Sequence, residues 1–438
     1  MSDTSFVRTE MLPEKAPPPS SVGVVGWLRA NLFSNWWNSI LTVICLVLIW
    51  YILAGLLKWS FQSVWNAGSL SECREIMTAT WGKTHGHACW GVINDRWLQL
   101  LFGFYPPELY WRPIVALLLL LVALAPILFA DRVSKKLLIV TAVYPFLMPY
   151  LMWGGSIWHP IGAAAGFVIG YYVLRYVTNA AGALLGFILA VVSALVWWLF
   201  LMGSVTGGLA SVTPEFFPLY LEPVASRDFG GFMLSLLIGV VAIGCSLPLG
   251  ILLALGRQSN LFIVKSICVG FIEFIRGVPL ITLLFVASTL LNIFLPPGTN
   301  FDIILRVMIM VTLFAAAYMA EVIRGGLAAL PKGQYEGADS LGLDYWQSQR
   351  LIIMPQALKI SIPGIVSTFI GVFKDTVLVS IIGLLDPLGL ANAIRADTDW
   401  NGVYWELFAF IGVLFFIVCF GMSRYSMYLE QKLRTDHR

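Results

Sequence analysis

Charged residues are scarce in this 438-residue chain. Asp, Glu, Lys and Arg make up only 12% of it, whereas 59% of the residues are hydrophobic. Apolar runs of about twenty residues recur along most of the chain, and each is long enough to cross a ~30 Å hydrocarbon layer as a helix. The residue alternation of a membrane β-barrel is missing. The composition therefore excludes a soluble domain and predicts an all-α integral membrane protein of the inner-membrane type.

Several chemical signatures are missing as well. The sequence has no GxxxxGK phosphate loop, so the chain is not predicted to hydrolyse ATP. It has no metal-binding cluster of the His-Glu-His kind and no nucleophile with an identifiable base, which argues against a membrane enzyme. A filter-like segment, as in a channel, is not evident. No repeat relates the two halves, as is common in secondary transporters, but a secondary amino-acid transporter remains the alternative function.

The apolar runs predict a helical bundle of about ten transmembrane helices, with eight as the lower limit. The least regular region is 137–203, where only Gly-Gly-Ser and His159-Pro160 separate two runs that either form a tight hairpin or fail to cross fully. The predicted spans lie near 39–57, 113–130, 137–154, 158–175, 183–203, 230–255, 277–296, 303–324, 360–385 and 404–424.

The distribution of Lys and Arg predicts the orientation of the chain. Short loops rich in Lys and Arg face the cytoplasm, and the loops between them here are neutral or acidic. Both ends are therefore expected in the cytoplasm, with a polar, proline-rich N-terminal tail and no cleavable signal peptide. The expected domains are a tail at 1–38, a membrane extension at 39–227 with an external loop at 58–112, a permease domain at 228–425, and a C-terminal tail at 426–438.

Two of the six cysteines lie in the external loop. Cys73 and Cys89 are on the side of the membrane where a disulfide can form. The nearby sequence HGHAC also offers His85, His87 and Cys89 to a metal, but an isolated His pair in a loop is usually solvated. We therefore predict a disulfide candidate and no metal site.

A short sequence occurs twice near the cytoplasmic membrane edge, as EFIRG from Glu273 and as EVIRG from Glu321. In each copy Glu and Arg are three residues apart on one helix face, so Glu273 can pair with Arg276 and Glu321 with Arg324. One interpretation is a pair of interfacial salt bridges whose side chains reach toward the lipid surface. The other is a gate, or a docking point for the following loop.

The stretch from Gln334 to Pro355 is polar and longer than a connection between adjacent helices requires. It predicts two short helices separated by Gly342, with Ala338 and Leu341 on a modest apolar ridge. Such a helix–turn–helix is either a solvated loop or a surface that inserts into a partner's groove.

The residue order of this stretch resembles the docking motif of permeases in ATP-binding-cassette (ABC) importers. That motif is Glu-Ala-Ala, three residues, Gly, nine residues and Ile-x-Leu-Pro, and this chain matches its spacing with Gly337 and Met354 as the departures. Segments such as FIEFIRGVPLITLLF and FKDTVLVSIIGLLD resemble polar amino-acid permeases over about 228–425, and the longer first half resembles general L-amino-acid permeases. The residues that carry the docking motif here are Glu336, Gly337, Ala338, Asp339, Leu341, Gly342, Ile352 and Pro355.

The resemblance implies a type I importer core of five helices in the C-terminal half, with an L-amino acid as substrate. It also implies that a separate cytoplasmic ATPase dimer uses the ATP, so that this chain binds no cofactor and is not catalytic by itself. A second permease, identical or homologous, and a periplasmic amino-acid-binding protein complete the expected assembly. Membrane lipid is a further partner, and no nucleic acid is expected.

A group of polar residues follows deep inside one predicted span. Lys374 and Asp375 lie about 22 Å along a helix from Lys359, a depth at which ionisable residues face a partner or a cavity. We predict that Lys374, Asp375, Thr376 and Ser380 border the substrate path; a buried pair that stabilises the bundle is the alternative. The acidic external loop from Leu384 to Trp400 is a candidate dock for the binding protein.

Overall fold

The computed structural model describes residues 23–83, 86–212, 220–290, 293 and 302–433. His85, most of the N-terminal tail, the external segment 295–301 and the last five residues lie outside these ranges, so the predictions made for them stay predictions. Within the described ranges the chain is almost entirely helical, as predicted. Its strand content is one antiparallel pair, Gly155–Ser156 with Tyr220–Leu221. The chain divides into two compact units, the first ending at Asn94.

The first unit contains a long apolar helix and a small disulfide-closed region. Its helices are α1 (Gly23–Asn31), α2 (Trp36–Phe61), α3 (Leu70–Trp81) and the start of α4 (Gly91–Phe102). Asn35 caps α2, and none of the α2 residues is buried. Cys73 and Cys89 form a disulfide with a Cα–Cα distance of 6.1 Å. The imidazole of His87 stacks on Trp81 and lies 3.0 Å from the carbonyl oxygen of Gln62.

The second unit begins at Asp95 and contains the rest of the extension. Its helices are α5 (Trp111–Leu128), α6 (Leu138–Trp153), α7 (Trp158–Ala181), α8 (Ala183–Val196) and α9 (Met202–Val212). A π-helical segment, Trp197–Leu201, joins α8 to α9, and the two form one candidate span, Leu185–Val212. Helices α7 and α8 pack as a hairpin, and Gly182 forms the turn at φ +94°. Both α6 and α7 are long and apolar enough to be spans.

The C-terminal half is a helical bundle, and we call its segment from Gln334 to Pro355 the docking loop, after the motif that it resembles. Its elements are α10 (Gly231–Gln258), α11 (Phe262–Gly277), α12 (Leu280–Phe285), α13 (Ile303–Ala328), α14 (Lys332–Ser340), α15 (Tyr345–Ser348), α16 (Met354–Asp375), α17 (Pro387–Ala396) and α18 (Trp405–Leu433). Helices α10 and α13 pack closely because Gly250 leaves room for Met319, whose Cβ would lie 2.7 Å from an added side chain.

The described residues contain nine helices that can cross a membrane, or ten if one bent pair counts as a span. That pair, Phe262–Gly277 followed by Leu280–Thr289, bends by 102°. The bend falls at Val278 and Pro279, the two residues between these helices. A helical bundle of about ten spans is thus confirmed.

Candidate functional site

The first helix of the docking loop ends in a glycine turn. Gly342 has φ +69°, its N–H donates to the carbonyl of Asp339 at 2.9 Å, and the N–H of Leu343 donates to that of Ala338 at 3.3 Å. These two bonds are the Schellman arrangement, in which a left-handed residue closes the last turn. Gly342 is therefore the turn residue, as the motif predicts.

The second helix of the loop starts with a capping box. The Asp344 carboxylate accepts from the Gln347 N–H at 2.8 Å, and the Gln347 side chain accepts from the Asp344 N–H. A π-helical segment, Gln349–Ile353, then leads into α16. Pro355 lies next to this segment, and because proline has no N–H it cannot bond to the carbonyl four residues earlier.

The exposed apolar residues of the loop differ from the expected ridge. Ala338 is fully buried within the chain, so its methyl group is not available to a partner in this conformation. Leu341 is 73% exposed, as expected, and it is joined by Tyr345 at 53% and Trp346 at 67%. Tyr345 and Trp346 pack edge to face, with ring centroids 5.4 Å apart. We call Leu341, Tyr345 and Trp346 the apolar docking patch.

The inner side of the loop packs on the buried residues of the bundle. Tyr335 and Ile352 contact a buried cluster that includes Ile323 of α13 and Ile272 of α11. The side-chain amide of Gln356 donates to that of Gln334 at 2.8 Å. A displacement of the loop would therefore move or strain its direct contacts with α11, α13 and α16.

Five charged residues of α10, α11 and α13 form one network centred on Glu321. Its carboxylate pairs with Arg257 at 2.7 Å, with Arg324 at 2.9 Å and with Arg276 at 3.7 Å. The predicted Glu321–Arg324 pair is thus present. The predicted Glu273–Arg276 pair is wrong, because Glu273 instead pairs with Arg257 at 2.8 Å and Arg276 turns toward Glu321.

Arg257 is the residue that the prediction missed. It lies in the last turn of α10 and bridges the two acids of the repeated sequence. Its position near the cytoplasmic edge is readable from the sequence, but its partners lie 16 and 64 residues away. The network joins the ends of α10 and α11 to α13.

The four residues predicted for the substrate path have unlike environments. Thr376 is fully buried and donates to the carbonyl of Phe373 at 2.8 Å, and the Ser380 hydroxyl donates to that of Val377 at 3.0 Å. Asp375 is half-buried, whereas Lys374 is exposed on the surface of the chain. Among the residues that the structure describes, Lys374 and Asp375 have no ion pair, so a mutually neutralising buried pair is not observed.

The loop 383–404, which includes the segment Leu384–Trp400 predicted to be external, is folded rather than extended. Asp386 is fully buried and caps α17 by accepting from Leu388 and Gly389, and Trp400 is fully buried as well. Burial raises the pKa of Asp386 to about 6, although the backbone N–H groups oppose this shift. The Arg395 guanidinium lies 4.2 Å from the ring centroid of Tyr404.

Comparisons with known proteins agree with this arrangement. The family described as "binding-protein-dependent transport system inner membrane component" matches residues 246–435. The glutamate/glutamine/aspartate/asparagine transport system permease protein BztC of Rhodobacter capsulatus is 57% identical over 439 residues, covering 100% of both chains. The inner membrane amino-acid ABC transporter permease protein YhdY of Escherichia coli K12 is 40% identical, covering 98% of both.

A shorter relative matches only part of the chain. The probable glutamine ABC transporter permease protein GlnP of Bacillus subtilis is 29% identical over 218 residues, which cover 49% of this chain and 98% of that protein. The two full-length relatives, the family match and the nine to ten candidate spans of the described residues lead to one conclusion. The chain belongs to the amino-acid permeases of ABC transporters, as a multi-pass component of the bacterial inner membrane.

Proposed function

We propose that the chain imports acidic L-amino acids and their amides. The observation that supports this substrate class is the 57% identity over the full length to a permease named for glutamate, glutamine, aspartate and asparagine. A permease supplies the path, and separate ATPase subunits bind and use the ATP. In this proposal the chain binds no cofactor and does not catalyse a reaction by itself.

The apolar docking patch is our candidate for the ATPase contact. Tyr345 and Trp346 are more than half exposed and belong to the residue types that dominate binding hot spots, and Leu341 adds exposed apolar surface beside them. Glu336 and Asp339 are exposed beside them and can set the orientation of the partner. Ile352 and Pro355 instead connect the patch to α16 and transmit its movement.

A cysteine in place of Leu341 tests this contact directly. In inside-out membranes that contain the whole complex, Leu341→Cys should crosslink to the ATPase, whereas Ser134→Cys, in an exposed cytoplasmic turn of the extension, should not. Trp346→Ala should weaken ATPase binding by at least 10-fold, because a buried interface aromatic contributes about 2 kcal/mol or more. Equal crosslinking from both positions would contradict the proposal.

The position of Lys374 supports a path shared with a second permease. Its neighbour Phe373 packs with Cys419, which lies about 21 Å along α18 from the external end, so Lys374 lies near the middle of the membrane. An exposed ammonium group at this depth is costly in lipid. A second permease, identical or homologous, would cover this surface and enclose a polar path against it. Asp375 is the second charged group of the path, and Thr376 and Ser380 shape it from behind.

Reconstitution tests the whole proposal. The test uses proteoliposomes that contain the permease pair, the ATPase pair and the binding protein. They should accumulate L-glutamate, L-glutamine, L-aspartate and L-asparagine only when ATP is supplied on the side of the membrane that carries the ATPase subunits. Uptake of L-leucine serves as the control. Accumulation by the permease alone, driven by an ion gradient, would favour the alternative of a secondary transporter.

A further inference from the structure

The external loop 383–404 of the permease core is held by the start of the second compact unit. The indole Nε1 of the buried Trp400 donates to Asp95 Oδ2 at 3.0 Å. Arg96 pairs with Asp397 at 3.1 Å and with Asp95 at 2.8 Å. Two adjacent residues of the extension thus hold a tryptophan and an aspartate that lie about 300 positions later in the chain.

A backbone junction holds the same loop at its beginning. The Gly231 N–H donates to the Leu385 carbonyl at 2.8 Å, and Gly103 and Gly230 approach each other so closely that a side chain on either would collide. A Cβ on Gly230 would also lie 2.7 Å from the Leu385 oxygen. The loop is therefore held at both ends, at Leu385 by the backbone of the core at Gly230 and Gly231, and at Asp397 and Trp400 by side chains of the extension.

Between these two attachments the loop presents an ordered outer surface. Leu390, Ala391 and Ile394 of α17 are buried on its inner side. Asn392, Thr398 and Asp399 remain exposed. A surface that is held in one conformation before binding loses less conformational freedom when a partner docks.

The partner that fits this surface is the soluble binding protein. The family is binding-protein-dependent, and the family match at 246–435 includes this loop. The shorter relative aligns over 98% of its own length with about half of this chain. The aligned half is therefore enough to form a permease. The external loops of the core must therefore make the essential contacts with the binding protein.

We propose that Asp95 and Arg96 are positioning residues that hold loop 383–404 in the conformation on which the binding protein docks. This inference rests on the proposed import function. It gives part of the extension a role: a brace on the external face that sets the affinity of the permease for its binding protein.

The test compares Arg96→Gln with wild type in the complete complex in lipid nanodiscs. Amide exchange in segment 387–403 should become faster, and the substrate-loaded binding protein should bind about 3- to 10-fold more weakly. Arg96→Lys keeps the charge opposite Asp397 and should recover most of the affinity. Arg227→Gln is the matched control, because Arg227 is an external arginine whose side chain is 88% exposed, with Asp228 at 4.0 Å.

Two results would overturn the brace: unchanged exchange in Arg96→Gln, or faster exchange with unchanged affinity. If Arg96→Gln does not assemble, Asp95→Ala removes the acceptor of the Trp400 N–H and leaves the buried indole in place, and the same two measurements decide. The Leu341→Cys crosslink is recorded in the same samples. Loss of that crosslink in otherwise wild-type complexes contradicts the proposed ATPase contact, whereas failure of the brace leaves it intact.

Discussion

The Glu321 carboxylate forms an ion pair with Arg257 at 2.7 Å although the two residues lie on different helices, 64 positions apart. Three arginines surround this carboxylate, whose side chain is only 16% exposed. The same helices carry the buried cluster on which the docking loop rests. The charge network and the loop therefore belong to one packed unit.

Glu321→Gln should destabilise the permease by about 1–3 kcal/mol, because the side chain that three arginines share loses its negative charge. Thermal unfolding of the purified chain in detergent measures the loss. Asp131→Asn is the control, since Asp131 pairs with Lys432 on the same membrane face but is largely exposed. Equal decreases of the unfolding temperature in the two variants would show that the network contributes no more stability than one surface ion pair.

Gly342→Ala should weaken the turn of the docking loop. An alanine at φ +69° is strained by about 1–2 kcal/mol, and the Schellman bonds are lost if the backbone relaxes. Coupled uptake is expected to fall while the amount of assembled permease stays near wild type.

Gly337→Ala is the matched substitution for this experiment. Gly337 lies inside α14 with nothing near its missing side chain, so alanine should stabilise the helix by about 1 kcal/mol. Uptake by this variant should be kept or slightly raised. Similar losses in both glycine variants would contradict a special role for the turn.

Asp386 should make stability depend on pH near the external face. Its pKa is about 6 in the fold and near 3.8 in the unfolded chain. Because the folded value is the higher one, the contribution of Asp386 is greatest below pH 3.8 and is lost as the pH rises through 6, by up to about 3 kcal/mol.

Asp386→Asn keeps an oxygen that can cap α17 but removes the titration. The thermal midpoint of this variant should change less between pH 5 and pH 8 than that of wild type, and it should be the higher of the two at pH 8. Parallel pH profiles would contradict the shifted pKa.

Lys374→Gln and Asp375→Asn should each reduce uptake at least 10-fold without lowering the yield of the complex, if both side chains line the path. Uptake of glutamate and of glutamine is measured at several concentrations, because loss of the ammonium should raise the KM for glutamate more. A fall in assembled complex, with normal uptake per complex, would indicate a structural role instead.

The parts of the structure that depend on local pattern were predictable from the sequence. Apolar length gave the spans, and the motif spacing gave Gly342 as the turn. The burial of Ala338 was not predictable, because it depends on which side of a short helix the bundle covers. The pairing of Glu321 with Arg257 and of Trp400 with Asp95 was not predictable either, since these residues come from distant segments that the fold brings together.

The close approach of Gly103, Gly230 and Leu385 has a consequence for how this permease can be re-engineered. Extension and core are interlocked backbone to backbone, with no room for a side chain. A chimaera that transplants the extension onto a short permease will therefore need glycines at the recipient's equivalents of 230 and 231. Without these glycines a linker can connect the extension to the core, but the two backbones cannot pack against each other at this point.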